Sequence, residues 1–230
     1  MEADSEFDGF ADEYERVLDQ GLSLSGERRK FFAHGRLEFL KRCLSGANDS
    51  PLKAMDFGCG DGATVPLLRD IVGARSNVGI DESAQSIRHA AEVYSGPGMT
   101  FSVLQGYVPT GDFDLVYTNG VFHHIPPANR PSTFAFLRDI LRPGGVLSFW
   151  ENNPWSPAAR YVMSRIPFDR NAIMVSARQA RRLAREHGFR VLRTDYLFIF
   201  PAALRVLRPL ENKLRRIGVG AQYQLLCERL

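Results

Sequence analysis

From Leu52 to Trp150 short apolar runs alternate with longer amphipathic stretches, and that rhythm leaves few architectures open. Parallel strands must be joined by a crossover, most simply a helix, so the alternation specifies βαβ units around a largely parallel sheet. Spacing predicts strands over 52–57, 77–80, 100–104, 113–118 and 146–150, and helices over 63–72, 83–94 and 132–141. Further on, a helix over 176–187 is expected to close at Gly188, a left-handed cap. A strand over 189–200, an amphipathic helix over 202–217 broken at Pro209, and a strand over 221–229 complete the pattern. The last two strands are expected to lie antiparallel at one sheet edge. The stretch from Glu151 through Pro157 carries two prolines and two asparagines and is read as irregular.

Ahead of the alternation, Phe7, Phe10, Tyr14, Val17 and Leu18 recur at helical spacing within an acidic stretch, 5–24. A second helix is expected over 27–44, with Phe31, Leu37, Leu40 and Leu44 inward. The chain is thus divided into a helical cap or lid, 1–46, and a core, 47–230, with a substrate-facing excursion at about 152–175. With 230 residues and 44% apolar content, a sizeable core can be buried, which excludes a disordered or collagen-like chain. Three separated cysteines, Cys43, Cys59 and Cys227, with no CxxC argue against a disulfide framework. No secretory layout is seen at the start, so a cytoplasmic location is expected. Net charge is divided unevenly. Residues 1–150 hold 14 Lys/Arg against 20 Asp/Glu, and 151–230 hold 15 against 6, a net −6 and +9. The basic third suits a solvated face or an anionic small molecule, with peripheral membrane contact less favoured. No nucleic-acid module is seen, and an oligomer is left open.

The most informative segment is Met55-Asp56-Phe57-Gly58-Cys59-Gly60-Asp61-Gly62-Ala63. Glycines between a strand and a helix let the backbone double back and approach a ligand at the carboxyl end of the sheet. Gly58, Gly60 and Ala63 also satisfy a loose dinucleotide fingerprint, with Asp81 placed as a ribose-binding acid. A dinucleotide sets its pyrophosphate on the helix N-terminus, where the carboxylates of Asp56 and Asp61 would repel it. A cationic, phosphate-free ligand is attracted by the same acids, although Asp61 also stands where a helix cap would.

With the later segments Gly79-Ile80-Asp81-Glu82-Ser83, Phe113-Asp114-Leu115-Val116-Tyr117, Asn119-Gly120-Val121-Phe122-His123-His124-Ile125 and Leu141-Arg142-Pro143-Gly144-Gly145-Val146-Leu147, the chain resembles the class I, Rossmann-like methyltransferases that use S-adenosylmethionine (SAM). The resemblance is good over roughly 50–152. It implies an α/β three-layer sandwich with helices on both faces of a seven-stranded, mostly parallel sheet, order 3-2-1-4-5-7-6, and an N-terminal helical lid. It also implies SAM as methyl donor and S-adenosylhomocysteine (SAH) as product. Asp81 is then expected on the ribose hydroxyls, and Gly58, Cys59 and Gly60 along the methionine portion with Asp56, Asp61 and Asn119. Glu82 neighbours Asp81. Relatives place an acid after the third strand for adenine, whereas this chain has Gln105-Gly106, so Gln105 or a backbone group must substitute. Arg36 could meet the cofactor carboxylate, and Tyr14 could line the pocket from the lid.

Methyl transfer from a sulfonium disperses charge, so positioning and exclusion of water count for more than acid–base work. A hydroxyl acceptor would still be helped by a proton acceptor at the end of strand four, for which His124 comes first and His123 second. Glu151, Asn152, Trp155, Tyr161 and Arg165 are the expected acceptor contacts, offering hydrogen bonds, aromatic surface and positive charge. No metal site is expected, because adjacent histidines are expected to point in different directions and no third ligand has suitable spacing. The expected activity is methylation of a small or medium acceptor, with oxygen of a sugar-type or phenolic natural product foremost. Two other functions compete with it: an NAD-dependent oxidoreductase, and a catalytically silent interaction protein of the same fold.

Overall fold

In the computed structural model, which describes residues 21–22, 25–44, 53–169 and 171–230, the chain forms a seven-stranded sheet. Of the expected helix over 5–24 only Gly21 and Leu22 are described, both helical. The rest of the first half of the expected lid lies outside the described residues, and its second half contains helix α1, Arg29–Leu44. Strand β1 (Lys53–Phe57) is followed by α2 (Val65–Leu67), which continues as a wider π turn over Leu68–Val72. Then come β2 (Ser76–Asp81), α3 (Ala84–Tyr94), β3 (Met99–Val103), β4 (Phe113–Asn119), α4 (Arg130–Ile140) and β5 (Leu141–Asn152). Helix α5 (Pro157–Arg165), α6 (Ala177–Glu186), β6 (Phe189–Leu197), a 3₁₀ spiral (Ala202–Leu210), α7 (Glu211–Leu214) and β7 (Gln222–Arg229) complete the chain.

The strand order is β3-β2-β1-β4-β5-β7-β6, as expected. All pairings are parallel except those of β7, which enters antiparallel between β5 and β6. Side chains of successive residues point to opposite faces, so Met55 and Phe57 join one core layer while Ala54 joins the other. One layer packs Phe134, Leu137 and Ile140 of α4 and Ala180, Leu183 and Ala184 of α6 on the sheet. The other packs Leu37, Phe39 and Leu40 of α1 with Leu68, Ile71 and Val72 against Ala54, Leu115 and Trp150. A third, smaller cluster seats Ile87 of α3 against Val65 and Met99.

Serine side chains cap two of the helices. Ser83 accepts from Ser86 N at the start of α3, and Ser176 with Gln179 forms a reciprocal capping box on α6. Two elements differ from expectation. Beyond the irregular stretch, the excursion contains a helix that was not expected, α5, with Ser156 as N-cap and Pro157 at its first position, where a missing N–H costs nothing. The 202–217 segment was expected as an α-helix covering the sheet, but none of the residues in its 3₁₀ spiral or in α7 is buried. Pro209 removes a donor there, and Leu204, Leu207 and Leu210 recur at three, the 3₁₀ period rather than the α period. No helix among the described residues is long and apolar enough to cross a membrane.

Candidate active site

The sheet order reverses direction between β1 and β4, and the loops at the carboxyl ends of these strands part to leave a crevice. On the β1 side the crevice is walled by backbone. Gly58 N and Cys59 N both donate to Ile80 O, at 2.8 and 3.0 Å, which folds the turn onto β2. Asp81 locks it there, Oδ2 accepting from Gly60 N at 2.8 Å and Oδ1 from Ser83 N at 2.9 Å. Gly58 has φ +72°, and a Cβ on it would lie 2.3 Å from Val121 Cγ2, so only glycine fits. Gly60, φ +54°, has no heavy atom within 4 Å of its absent Cβ, and its flank is open.

The acids of this turn separate into different roles. Asp56 is buried, and burial first, then the neighbouring charge of Asp81, pushes its carboxyl up to about 8. Asp61 turns outward to a two-pronged ion pair with Arg29, its Oδ2 on Nη1 and its Oδ1 2.6 Å from Nη2. Burial opposes its charge, but the Arg29 guanidinium prevails and holds the carboxyl below the usual range. Asp61 Oδ1 also accepts from Ala63 N at 3.2 Å. Its charge is therefore committed to Arg29 and the turn, a correction to its expected place beside the ligand's cation. Asn119, ending β4, has a buried Oδ1 with no hydrogen-bond donor.

On the β4 side the wall is side chain. After Gly120, φ +70°, a tight turn carries Phe122, His123 and His124 over the end of β5. Glu151 anchors this turn from below: Oε1 accepts from Phe122 N at 2.7 Å and His123 N at 3.3 Å, and Oε2 lies 2.7 Å from His123 Nδ1. From the excursion, Asp169 Oδ1 reaches within 3.4 Å of His123 Nε2 and 3.3 Å of His124 Nε2. Burial opposes charge on His123, but Glu151 foremost and Asp169 with it raise the ring to about 10. Ile173 N donates to His123 O at 2.8 Å, and Arg130 Nε donates to Phe122 O and Ile125 O, fastening the turn to the excursion.

A cavity of about 380 Å³ joins the two walls. Of the expected residues it is lined by Asp56, Gly58, Cys59, Gly60, Asn119, Arg36, His123, His124, Asn152 and Tyr161. Arg36 is buried, donating to Tyr117 Oη at 2.9 Å and Gln222 Oε1 at 3.1 Å, both neutral partners. Asp81, Glu82, Gln105 and Gly106 lie outside the cavity, at the carboxyl ends of β2 and β3, where Leu104 N bonds Asp81 O. Three expected acceptor contacts are corrected. Glu151 is fully buried behind His123, Trp155 is 79% exposed where the chain turns into α5, and Arg165 is exposed over the Tyr161 ring. Tyr14 lies outside the described residues.

Asp169 was not among the candidates. A lone acid between Arg165 and Arg170 was its only signal, and its approach to the histidines needs the tertiary fold. The expectation that the histidines point apart is also corrected, because the turn after Gly120 brings their ring centroids to 4.2 Å. Arg29, Arg208 and Phe198 complete the wall. Arg208 pairs with Glu27 at 2.7 Å and lies over Phe31, while Phe198 packs on Phe31 and Phe32.

Residues 25–194 match a family model described as a methyltransferase domain. Among curated proteins, the chain is 27% identical over 130 residues to the trans-aconitate 2-methyltransferase of Azoarcus sp., covering 56% of this chain and 51% of that one. It is 32% identical over 96 residues to the enzyme of the same name from Rhizobium etli, covering 42% and 37%. The matches thus span about half or less of these relatives' length. Among solved structures, a SAM-dependent methyltransferase from Mesorhizobium loti superposes with a TM-score of 0.60 at 18% identity, over 82% of this chain and 96% of that one. The geranyl diphosphate C-methyltransferase of Streptomyces coelicolor, solved with Mg2+, geranyl diphosphate and SAH, gives 0.62 at 18% identity, over 85% and 79%.

Proposed function

Because the chain belongs to the class I methyltransferases that use SAM, we propose that it methylates an oxygen of a small anionic acceptor, a carboxylic acid foremost. The observation that carries this is one cavity running from the Gly58–Gly60 turn to the His123–His124 turn, so that donor and acceptor share an enclosure. The residues at its first end fit the donor. Gly60 leaves its flank open, Asn119 Oδ1 is a buried acceptor awaiting a donor, and Asp56 is a buried acid that a cation would return to its charged form. Arg36, held by neutral groups, is assigned the donor's carboxylate, and Asp81 its ribose hydroxyls. Cys59 borders the same end, while Glu82, Gln105 and Gly106 are assigned the adenine side. When bound, the donor supplies an electrophilic methyl group on a sulfonium.

One feature supports an anionic acceptor: curated relatives are named for trans-aconitate, a tricarboxylate. Arg29 and Arg208, which also line the cavity, are paired with Asp61 and Glu27. This acceptor class takes precedence over the sugars and phenols suggested by the excursion's aromatic residues. A carboxylate is already ionised at neutral pH, so no proton has to leave it and His124 need not serve as base. Asn152 and Tyr161 line the acceptor end, where the walls of the cavity exclude water and fix the oxygen's approach. Glu151 acts only through His123, as a positioning residue.

The test is turnover of SAM by the full chain against a panel of di- and tricarboxylic acids, sugars and phenols, followed by SAH release and product mass. Methyl esters of the acids are expected. Turnover confined to sugars or phenols would overturn the acceptor class, and failure to bind SAM or SAH would overturn methyl transfer.

A further inference from the structure

With a carboxylate acceptor, the His123–His124–Asp169 cluster, in which His123 and Asp169 are buried and His124 is half-buried, has no proton to move. One ring nitrogen from each histidine and one carboxylate oxygen of Asp169 lie within 4.8 Å of one another. The two imidazole-to-carboxylate separations, His123 Nε2 and His124 Nε2 to Asp169 Oδ1, are 3.4 and 3.3 Å. Zinc bonds nitrogen and oxygen at about 2.0–2.1 Å, so the edge of a tetrahedral site is about 3.3–3.4 Å. A carboxylate that merely steadied the rings would accept an aligned N–H from one of them. Asp169 Oδ1 instead is buried and accepts no aligned hydrogen bond, although both nitrogens are near.

We propose that His123, His124 and Asp169 bind a divalent transition metal ion of the zinc type, open on the side facing the cavity. The surrounding groups are those of a metal site. His123 presents its other nitrogen, Nδ1, to Glu151 Oε2 at 2.7 Å, the carboxylate–histidine arrangement that fixes a ligating ring. Glu151 in turn is fixed by Phe122 N and His123 N. Two imidazoles and one carboxylate favour zinc, cobalt or iron over magnesium or calcium, which take oxygen donors. Three protein ligands beside a cavity leave a coordination position for a ligand oxygen. That the acceptor's anionic oxygen takes this position rests on the methyl-transfer reading, whereas the ion's site stands without it.

The test uses the full chain, stripped with a chelator and dialysed, then titrated with Zn2+ by calorimetry and with Co2+ by visible absorption. One equivalent of each is expected to bind, with the visible bands of a four- or five-coordinate cobalt ion. Asp169→Asn and His124→Ala, each checked for folding by thermal melting, should lose affinity by about tenfold or more. Absence of saturable uptake by the unaltered chain, or uptake undiminished in both variants, overturns the site. SAH calorimetry on the same samples separates the two proposals. A chain that binds SAH but no metal keeps the function and loses the site, and one that binds metal but no SAH does the reverse.

Discussion

At the β1 end of the cavity the wall is made by one short segment, where Gly58 and Cys59 hang from Ile80 O and Gly60 is tied to Asp81. At the β4 end, side chains from three distant places meet: His123 and His124 from the turn after β4, Glu151 from β5, and Asp169 from the excursion. The first wall depends on backbone shape and the second on buried charge. They touch through Val121, whose Cγ2 occupies the space a Cβ on Gly58 would need. A change at one end should therefore damage mainly that end, except at Gly58.

Four substitutions would sharpen or break this comparison. The largest effect is expected for Glu151→Ala, which strands the buried His123 without its nearest carboxylate. Chemical denaturation should show a loss of about 3–5 kcal/mol, the scale for one partner of a buried pair, with SAH affinity retained under folding conditions. Gly58→Ala should cost about 2–4 kcal/mol, combining the left-handed backbone with overpacking against Val121. It should impair both SAH binding and the histidine turn, and damage to only one would break the proposed link. Asp81→Ala should weaken SAH binding by at least ~1.5 kcal/mol in calorimetry, since it removes an assigned ribose acceptor and the brace on Gly60.

Apart from these losses at a single pH, one effect is spread along the pH axis and concerns Asp56. Its carboxyl, raised to about 8 in the fold, holds a proton that the unfolded chain releases above 3.8. Its contribution is complete below about pH 4 and drains away as pH rises towards 8, by up to about 1.4 kcal/mol per pH unit. Without ligand, Asp56→Asn should remove that slope, so the gap between variant and parent in denaturation should widen from pH 4 to 8. Parallel curves would show that Asp56 ionises freely in the fold.

The same contrast explains what could be read from the sequence. The backbone of the β1 wall is shaped mainly within Met55–Gly62 and by Ile80 and Asp81, where local turn chemistry goes far, although Val121 and Arg29 come to it from elsewhere. Alternation points to βαβ units and a largely parallel sheet, whereas the order of its strands is what the family resemblance implies. Asp169 could not be found that way, because its meeting with His123 and His124 depends on how the excursion folds over the sheet. Proline was an ambiguous signal: Pro157, which ends the irregular stretch, also starts α5, and Pro209 lies not in an interrupted α-helix but in an exposed 3₁₀ spiral. The helix cap expected at Asp61 falls instead at Thr64, and Asp61 holds Ala63 N and Arg29, a partner far off in the chain.

The glycine turn between Asp56 and Asp81 is assigned a phosphate-free cofactor rather than a dinucleotide. Calorimetry of the full chain with SAH and, separately, with NAD tests this assignment most directly. Saturable SAH binding that Asp81→Ala weakens, with no binding of NAD, is the predicted result. Binding of NAD in place of SAH would contradict it.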